Sequence, residues 1–229
     1  MKTSKLSLIL ISVTLAISIL TMFMTFGLRS EISAINGGVS SDSGTASLIT
    51  PNDPFIGPDN AKNVIIEFSD FECPYCGAAS GTHAALIDQF KRSDPTWEAP
   101  VPKLEELAKQ GKIKFVFKNF PLNIHKNAQK AAEASECANE QKKFWEYHNK
   151  MFENQEALDV PSLKQYAKDL GLNTNKFNDC LDTGKMAAEV KNDLNAGVKA
   201  GISGTPAFLV NGQLIKGAQS FSTFESMLS

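Results

Sequence analysis

Two cysteines three positions apart are the residues of this chain best suited to chemistry. Cys73 and Cys76 come shortly after residues 64–68, a β-branched run that predicts a β-strand. Pro74 suits the first turn of a helix, so a helix is expected to start at the cysteines. A cysteine at a helix start lies at the positive end of the helix dipole, which stabilises its thiolate. The spacing therefore predicts thiol–disulfide exchange, with Cys73 as the nucleophile and Cys76 as the thiol that resolves the mixed disulfide.

Two other uses of this pair stay open. One is half of a structural zinc site, but such a site normally has a second closely spaced cysteine pair. Cys137 and Cys180 are far apart in the sequence, and no histidine lies three to five residues from another. The other use is an inert structural disulfide. Thiol–disulfide exchange itself requires neither a metal nor an organic cofactor, and none is expected.

The elements that must position the cysteines predict an α/β fold. Residues 112–118 alternate between apolar residues and lysines, which predicts a second strand. Residues 207–210 and 213–215 flank Asn211-Gly212 and predict a β-hairpin. This order of strands and helices is typical of a sheet covered by helices. Helices are predicted at residues 77–91, 103–110 and 222–228, and residues 127–193 form a helical block without a convincing strand.

Length and composition exclude several classes of protein. The chain has 229 residues, of which 42% are hydrophobic and 21% charged, as is usual for globular proteins. A net charge of −2 provides no basic surface for phosphates, so no nucleic-acid partner is expected. Four cysteines are too few for a disulfide scaffold of this size, so any disulfide would supplement a hydrophobic core.

The N-terminal segment predicts a membrane anchor. Residues 6–28 carry no charge, and a helix of that length would reach about 34 Å, enough to cross a bilayer core. Lys2 and Lys5 precede the span, whereas only Arg29 follows it closely, which places the N-terminus inside and the remainder outside the cytoplasm. Residues 1–29 are therefore predicted to be one transmembrane helix that anchors an extracytoplasmic protein.

A cleaved signal peptide is the alternative for the N-terminus, with Ser33-Ala34 as the best cleavage site and secretion as its consequence. Residues 30–54 are rich in Ser, Gly, Thr, Asn and Asp and are predicted to form a flexible linker. The predicted catalytic domain covers residues 55–229, with its helical insertion at about 125–195.

Several short motifs are spread over residues 55–229. They are F-S-D-F-E-C-P-Y-C at 68–76, F-P-L at 120–122 with His125, E-C-A at 136–138, F-W-E-Y-H at 144–148, L-G-L at 170–172 and G-T-P-A-F at 204–208. Together they resemble the motifs of DsbA-like thiol:disulfide oxidoreductases of the thioredoxin superfamily. The resemblance implies a thioredoxin fold with an inserted helical domain. It also implies that Pro206 is cis and faces the cysteine pair, and that Thr205 pairs with the main chain of the substrate.

The resemblance also suggests roles for three further residues. Thioredoxin-like proteins are similar in carrying a buried acid beneath the second cysteine, which implies that Glu67 accepts the proton of Cys76. A glutamate that points to solvent is the alternative. Some DsbA-like proteins have a second disulfide in the helical block, which implies a structural Cys137–Cys180 bridge. Two buried free thiols or a redox relay stay open.

The implied function is that of an extracytoplasmic protein thiol:disulfide oxidoreductase. Its expected partners are unfolded or reduced exported proteins and a membrane quinone-linked thiol oxidase that reoxidises it. Tyr75 stands where the strongest oxidants of the family have histidine, so an isomerase or reductase is an alternative. A holdase that binds unfolded peptides without catalysis is another. The segment 81–111 departs from the family, and Trp97 within it either lines a substrate groove or anchors a loop.

Overall fold

A five-stranded mixed sheet organises the part of the chain that the computed structural model describes, Thr45 and residues 47–228. The strands lie in the order β1-β3-β2-β4-β5. β2 and β3 are parallel, whereas β1–β3, β2–β4 and β4–β5 are antiparallel. The bounds are β1 Phe55–Ile56, β2 Asn63–Ser69, β3 Ile113–Asn119, β4 Ala207–Val210 and β5 Gln213–Lys216.

Helices cover this sheet, and a group of them between β3 and β4 forms the inserted block. The structure thus has the thioredoxin-like α/β architecture that the sequence predicts, with a helical insertion. The bounds are α1 Pro74–Ala79, α2 Ala84–Ser93, α3 Pro100–Lys109, α4 Ala128–Asn139, α5 Phe144–Phe152, α6 Val160–Asp169, α7 Thr174–Asp182, α8 Ala187–Lys199 and α9 Phe221–Glu225.

Both faces of β2 are buried, which fixes the strand that leads to the cysteines. On one face Ile65 packs with Leu104 of α3 and with neighbouring side chains of β3 and β4. On the other face Ile66 and Phe68 pack with residues that include Ile202. A third cluster fills the helical block and contains all four cysteines, so this core supports the cysteine pair directly.

β3 is buried along its whole length, although its alternating lysines predict one solvent-facing side. The reason is that helices cover both faces of the sheet at β3, with α3 packed on one face and α8 on the other. Lys118 is only 1% exposed, and its ammonium group binds the carboxylates of Asp53 and Asp193 at 2.7 and 2.8 Å. A buried charge is tolerated where it is paired, and here two carboxylates pair it.

The helix predicted at residues 77–91 is two helices. Gly81 has a φ of +80°, a left-handed conformation that breaks the helix, and α1 ends just before it at Ala79. His83 then caps α2, because its Nδ1 accepts a hydrogen bond from the backbone N–H of Leu86 at 3.3 Å. The helix predicted from residue 103 begins earlier, at Pro100, in the first-turn position that proline favours.

The prediction of a flexible linker up to residue 54 is wrong for its last residues. Leu48 and Ile49 pack against the core beneath the sheet. Asp53 is buried, and its carboxylate accepts hydrogen bonds from the backbone N–H and the hydroxyl of Thr50 at 2.8 and 2.7 Å. The composition of this segment gave no indication of these contacts, because its partner Lys118 is 65 residues away.

The predicted membrane anchor, the cleavage site near Ser33-Ala34 and most of the linker lie outside the described residues. Within the described part, no helix combines the length and apolar character needed to cross a bilayer. The anchor therefore stays a prediction.

Candidate active site

Cys73 and Cys76 lie where β2 passes into α1. Cys73 is the N-cap residue of α1, and Cys76 lies inside the helix, behind it. Cys73 is 4% exposed and Cys76 is fully buried. The thiol of Cys73 is 3.5 Å from the carbonyl oxygen of Thr205, and the backbone N–H of Asp70 points at the sulfur of Cys76 from 3.5 Å. The two sulfurs therefore have distinct surroundings.

Those surroundings shift the two thiol pKa values in opposite directions. The pKa of Cys73 falls from 9.0 to about 6, chiefly because the Cys76 thiol donates a hydrogen bond to its sulfur, against the opposing effect of burial. The Thr205 side chain and the backbone N–H groups of Tyr75 and Cys76 add to the stabilisation of the thiolate. Burial, and then the neighbouring Cys73, raise the pKa of Cys76. Cys73 is therefore the thiol equipped to ionise.

The source of this stabilisation differs in part from the sequence-based expectation. α1 has only six residues, so the first backbone N–H groups of a short helix, rather than a long helix, act on Cys73. The thiolate depends instead on local groups, namely the Cys76 thiol, Thr205 and the first backbone N–H groups of α1. The break after α1 comes from Gly81 and leaves these local contacts in place.

Thr205 and Pro206 stand opposite the cysteine pair. The peptide bond between them is cis. The Thr205 hydroxyl is buried and makes no hydrogen bond of good geometry within the described part of the chain. An open cavity of about 220 Å³ lies beside this loop, and its lining includes Ser203 and Lys216. The predicted pairing of Thr205 with a substrate main chain stays a prediction.

Glu67 is fully buried within β2, so the alternative of a solvent-facing glutamate is wrong. Neither of its carboxylate oxygens has a hydrogen-bond partner of good geometry among the described residues. Burial raises its pKa from 4.5 to about 8. Ser69 lies on the same face of β2, two residues further on, and its hydroxyl acts in the opposite sense, favouring the ionised forms of both Glu67 and Cys76.

Two acidic residues just before Cys73 tie the active-site turn to the loop after β3. The buried carboxylate of Asp70 accepts hydrogen bonds from the backbone N–H of Leu122 at 2.8 Å and pairs with Nδ1 of His125 at 2.7 Å. The carboxylate of Glu72 accepts a hydrogen bond from the backbone N–H of Asn127 at 2.6 Å. The sequence pattern does not indicate a role for these acids, because their partners are more than fifty residues away.

The predicted disulfide between Cys137 and Cys180 is present and joins α4 to α7. Both cysteines are buried in the core of the helical block.

Trp97 anchors a loop, since it is 5% exposed and its indole N–H donates to the carbonyl of Ala218 at 3.2 Å. His148 lies among aromatic rings, and burial lowers its pKa to about 4, so it is neutral at pH 7.

In the described part of the chain, one cluster of acidic residues has oxygens close enough together to hold a metal ion. Oxygens of Asp53, Glu189 and Asp193 lie within 4.8 Å of one another. However, the ammonium group of Lys118 already binds Asp53 and Asp193. The cluster is therefore satisfied by an internal cation, and it lies apart from the cysteine pair.

Comparisons with known proteins agree with this architecture. The model of a family described as thioredoxin matches residues 49–91 and 96–229. Among solved structures, the chain is similar to BdbD from Bacillus subtilis, with 26% identity and a TM-score of 0.63 over 77% of this chain and 91% of that one. It also shares the fold of the thiol-disulfide exchange protein α-DsbA2 from Wolbachia pipientis, with 18% identity and a TM-score of 0.65 over 82% and 94%.

The curated relatives are much longer proteins. The chain is 31% identical to the Na(+)/H(+) antiporter NhaA 3 of Salinispora tropica over 202 residues, which is 85% of this chain and 28% of the relative. It is also 31% identical to the NhaA antiporter of Herminiimonas arsenicoxydans over 182 residues, 78% of this chain and 26% of that protein. The chain thus spans about a quarter of the length of the curated relatives it matches.

Proposed function

The chain belongs to the thioredoxin family and has the architecture of its DsbA-like thiol–disulfide oxidoreductases, and from this premise we propose that it is an extracytoplasmic enzyme that forms or exchanges disulfides in exported proteins. The observation that carries the proposal is the inequality of the two thiols. The pKa of Cys73 is about 6, whereas burial raises that of Cys76. A nucleophile and a resolving thiol need this difference, and an inert structural pair does not.

In the oxidising direction, the reaction starts from a Cys73–Cys76 disulfide. A substrate thiolate attacks the sulfur of Cys73, the Cys73–Cys76 bond breaks, and Cys76 leaves with the electron pair. A second thiolate of the substrate then attacks the substrate sulfur of the mixed disulfide. A disulfide forms within the substrate, and Cys73 leaves as a thiolate. The substrate has lost two electrons and the enzyme has gained them. The low pKa of Cys73 makes it the better leaving group in this last step.

Glu67 supplies the proton that Cys76 needs in the first step. Burial raises the pKa of Glu67 to about 8, so it is protonated at neutral pH. The thiolate of Cys76 is disfavoured by its own burial and takes up this proton. The Ser69 hydroxyl, at the end of β2, acts on both Glu67 and Cys76, which suits it to carry the proton. In the reducing direction the same groups move the proton back.

The redox partner and location follow from the same proposal. Electrons pass only between sulfur atoms, so the enzyme itself uses neither a metal nor an organic cofactor. A membrane quinone-linked thiol oxidase would restore the Cys73–Cys76 disulfide. The uncharged segment at residues 6–28 supports a location at the outer face of a membrane, where disulfides persist.

The test is transfer of disulfides to a reduced, unfolded protein by the oxidised enzyme. The wild type is expected to generate substrate disulfides, and Cys73→Ser to lose this turnover. Cys76→Ser should accumulate mixed disulfides with substrate on non-reducing gels, because the resolving thiol is gone, while Cys73→Ser should form few. Equal suppression of substrate aggregation by wild type and Cys73→Ser, without any exchange, would contradict the proposal and support a holdase.

The equilibrium potential of the Cys73/Cys76 pair against glutathione then gives the direction of the reaction. A potential close to the −120 mV of strong oxidants supports net disulfide formation, whereas one close to about −270 mV supports a reductase.

A further inference from the structure

The side chain of Gln155 reaches from the helical block to the active-site turn. Gln155 lies in the turn that follows α5. Its Nε2 donates hydrogen bonds to the carbonyl oxygens of Phe71 and Cys73, at 2.8 and 3.0 Å. The amide of Gln155 therefore binds the main chain on both sides of Glu72, the residue that precedes Cys73. These contacts bridge 84 and 82 positions of sequence.

The turn that receives these hydrogen bonds is also held by Asp70 and Glu72, which bond to the loop after β3, whereas Gln155 holds it from the side of the helical block. Cys73 is the N-cap of α1, and no side chain in the described part of the chain caps this helix. The Cys73 carbonyl also accepts the backbone N–H of Gly77 at 3.1 Å. On the opposite side, the Cys73 sulfur faces the Thr205 carbonyl at 3.5 Å. Cys73 is thus held between Gln155 at its main chain and Thr205 at its sulfur.

Gly77 shows that this contact is closely fitted. A Cβ atom at position 77 would overlap Oε1 of Gln155 and would lie 2.7 Å from its Cδ. Gly77 lies inside α1 and is not among the glycines with positive φ, so the requirement is for space rather than for an unusual backbone conformation. The amide of Gln155 therefore packs directly against α1, one residue after Cys76.

We propose that Gln155 is a positioning residue that holds the Cys73 turn in register with Thr205 for exchange. This inference rests on the proposed function. Exchange requires the attacking, central and leaving sulfurs to align, and small displacements of a reacting group reduce the rate of a step strongly. Gln155 does not touch the sulfurs. It acts through the main chain of Phe71 and Cys73.

The first test replaces Gln155 by methionine, which keeps the length of the side chain and removes both donors. The expected result is a decrease in the kcat of disulfide exchange of about three- to tenfold, the effect of one or two lost hydrogen bonds, with KM nearly unchanged. Gln165→Met is the matched control, because Gln165 is exposed on α6 and its amide donates a hydrogen bond to Asp169 on the same helix. An unchanged kcat in Gln155→Met would overturn the inference.

The second test uses the fit between Gln155 and Gly77. Gly77→Ala should lower kcat, because the new methyl group displaces the end of the Gln155 side chain from Phe71 and Cys73. Gln155→Ala creates room for that methyl group, so the effects of the two substitutions on Tm should not add, while the kcat of the double variant stays low. Additive changes of Tm would contradict the packing, and a recovered kcat would contradict the positioning role.

The two proposals fail in different ways. A wild type without exchange activity would remove the proposed function and this inference with it. An active wild type whose kcat does not respond to Gln155→Met would remove only the inference.

Discussion

At the scale of single residues, the site depends on making two cysteines different although they are three positions apart. Cys73 collects hydrogen-bond donors from the Cys76 thiol and the first backbone N–H groups of α1. Cys76 is fully buried and has the negative charge of Cys73 as its neighbour. The same contact between the sulfurs therefore lowers one pKa and raises the other. This asymmetry assigns the order in which the two sulfurs react.

Residue types reveal part of this site, and tertiary contacts supply the rest. The motif around Cys73 and the acid at Glu67 could be recognised because they are close in sequence. The roles of Asp70 and Gln155 could not, because their partners lie 52 to 84 positions away. A glutamine in a polar turn carries no sequence pattern that indicates a contact with the active site.

Glu67 gives the first prediction, which concerns pH. In the folded chain Glu67 keeps its proton up to about pH 8, whereas in the unfolded chain it loses it near the ordinary pKa of 4.5, so keeping this proton costs the folded state stability as the pH rises between these values. Glu67→Gln removes that cost. Its free energy of unfolding, relative to wild type, should therefore increase by about 2–4 kcal/mol between pH 5 and pH 8.

Chemical denaturation at the two pH values measures this difference. Glu106→Gln, on the exposed face of α3, is the matched control for the loss of a carboxyl group. A stability difference that does not change with pH would show that Glu67 ionises freely and cannot hold the proton of Cys76.

At the scale of elements, strands and helices were more predictable than their ends. β2, β3 and the β4–β5 hairpin occur where the residue patterns predict them. The single helix expected after the cysteines is broken because Gly81 adopts a positive φ, which a search for apolar spacing does not detect. β1 has only two residues and was missed, because so short an edge strand has no period.

The disulfide between α4 and α7 gives the second prediction. It closes a loop with a sequence separation of 43, which in the chain-entropy model contributes about 4 kcal/mol to stability. The Cys137→Ser/Cys180→Ser variant should melt at a lower temperature and keep most of its exchange rate per folded molecule. Calorimetry and the exchange assay together measure this. A normal melting temperature with lost activity would instead indicate a redox relay.

At the scale of the whole molecule, buried ion pairs connect the start of the domain to its helical block. Lys118 of β3 pairs with Asp53, which precedes β1, and with Asp193 of α8. Burial raises the pKa of Asp193 to about 6 in spite of this pairing. The composition of residues 30–54 predicts a tether, and only a three-dimensional contact shows that the domain begins before residue 54.

The third prediction concerns the membrane. If residues 6–28 anchor the protein, the intact chain should stay with membranes through alkaline carbonate washing, because a spanning helix resists extraction. Residues 30–229 expressed alone should be soluble and are the matched control. A mature protein that begins near Ile35 would contradict the anchor and support cleavage and secretion.

The central claim is that Cys73 is the nucleophile because the fold lowers its pKa. The pH dependence of iodoacetamide alkylation, mapped to each cysteine by mass spectrometry in the reduced protein, tests it most directly. The expected rate at Cys73 is half-maximal near pH 6, while Cys76 stays unmodified until the protein unfolds. A midpoint near the ordinary value of 9.0, or equal labelling of both cysteines, would contradict the account.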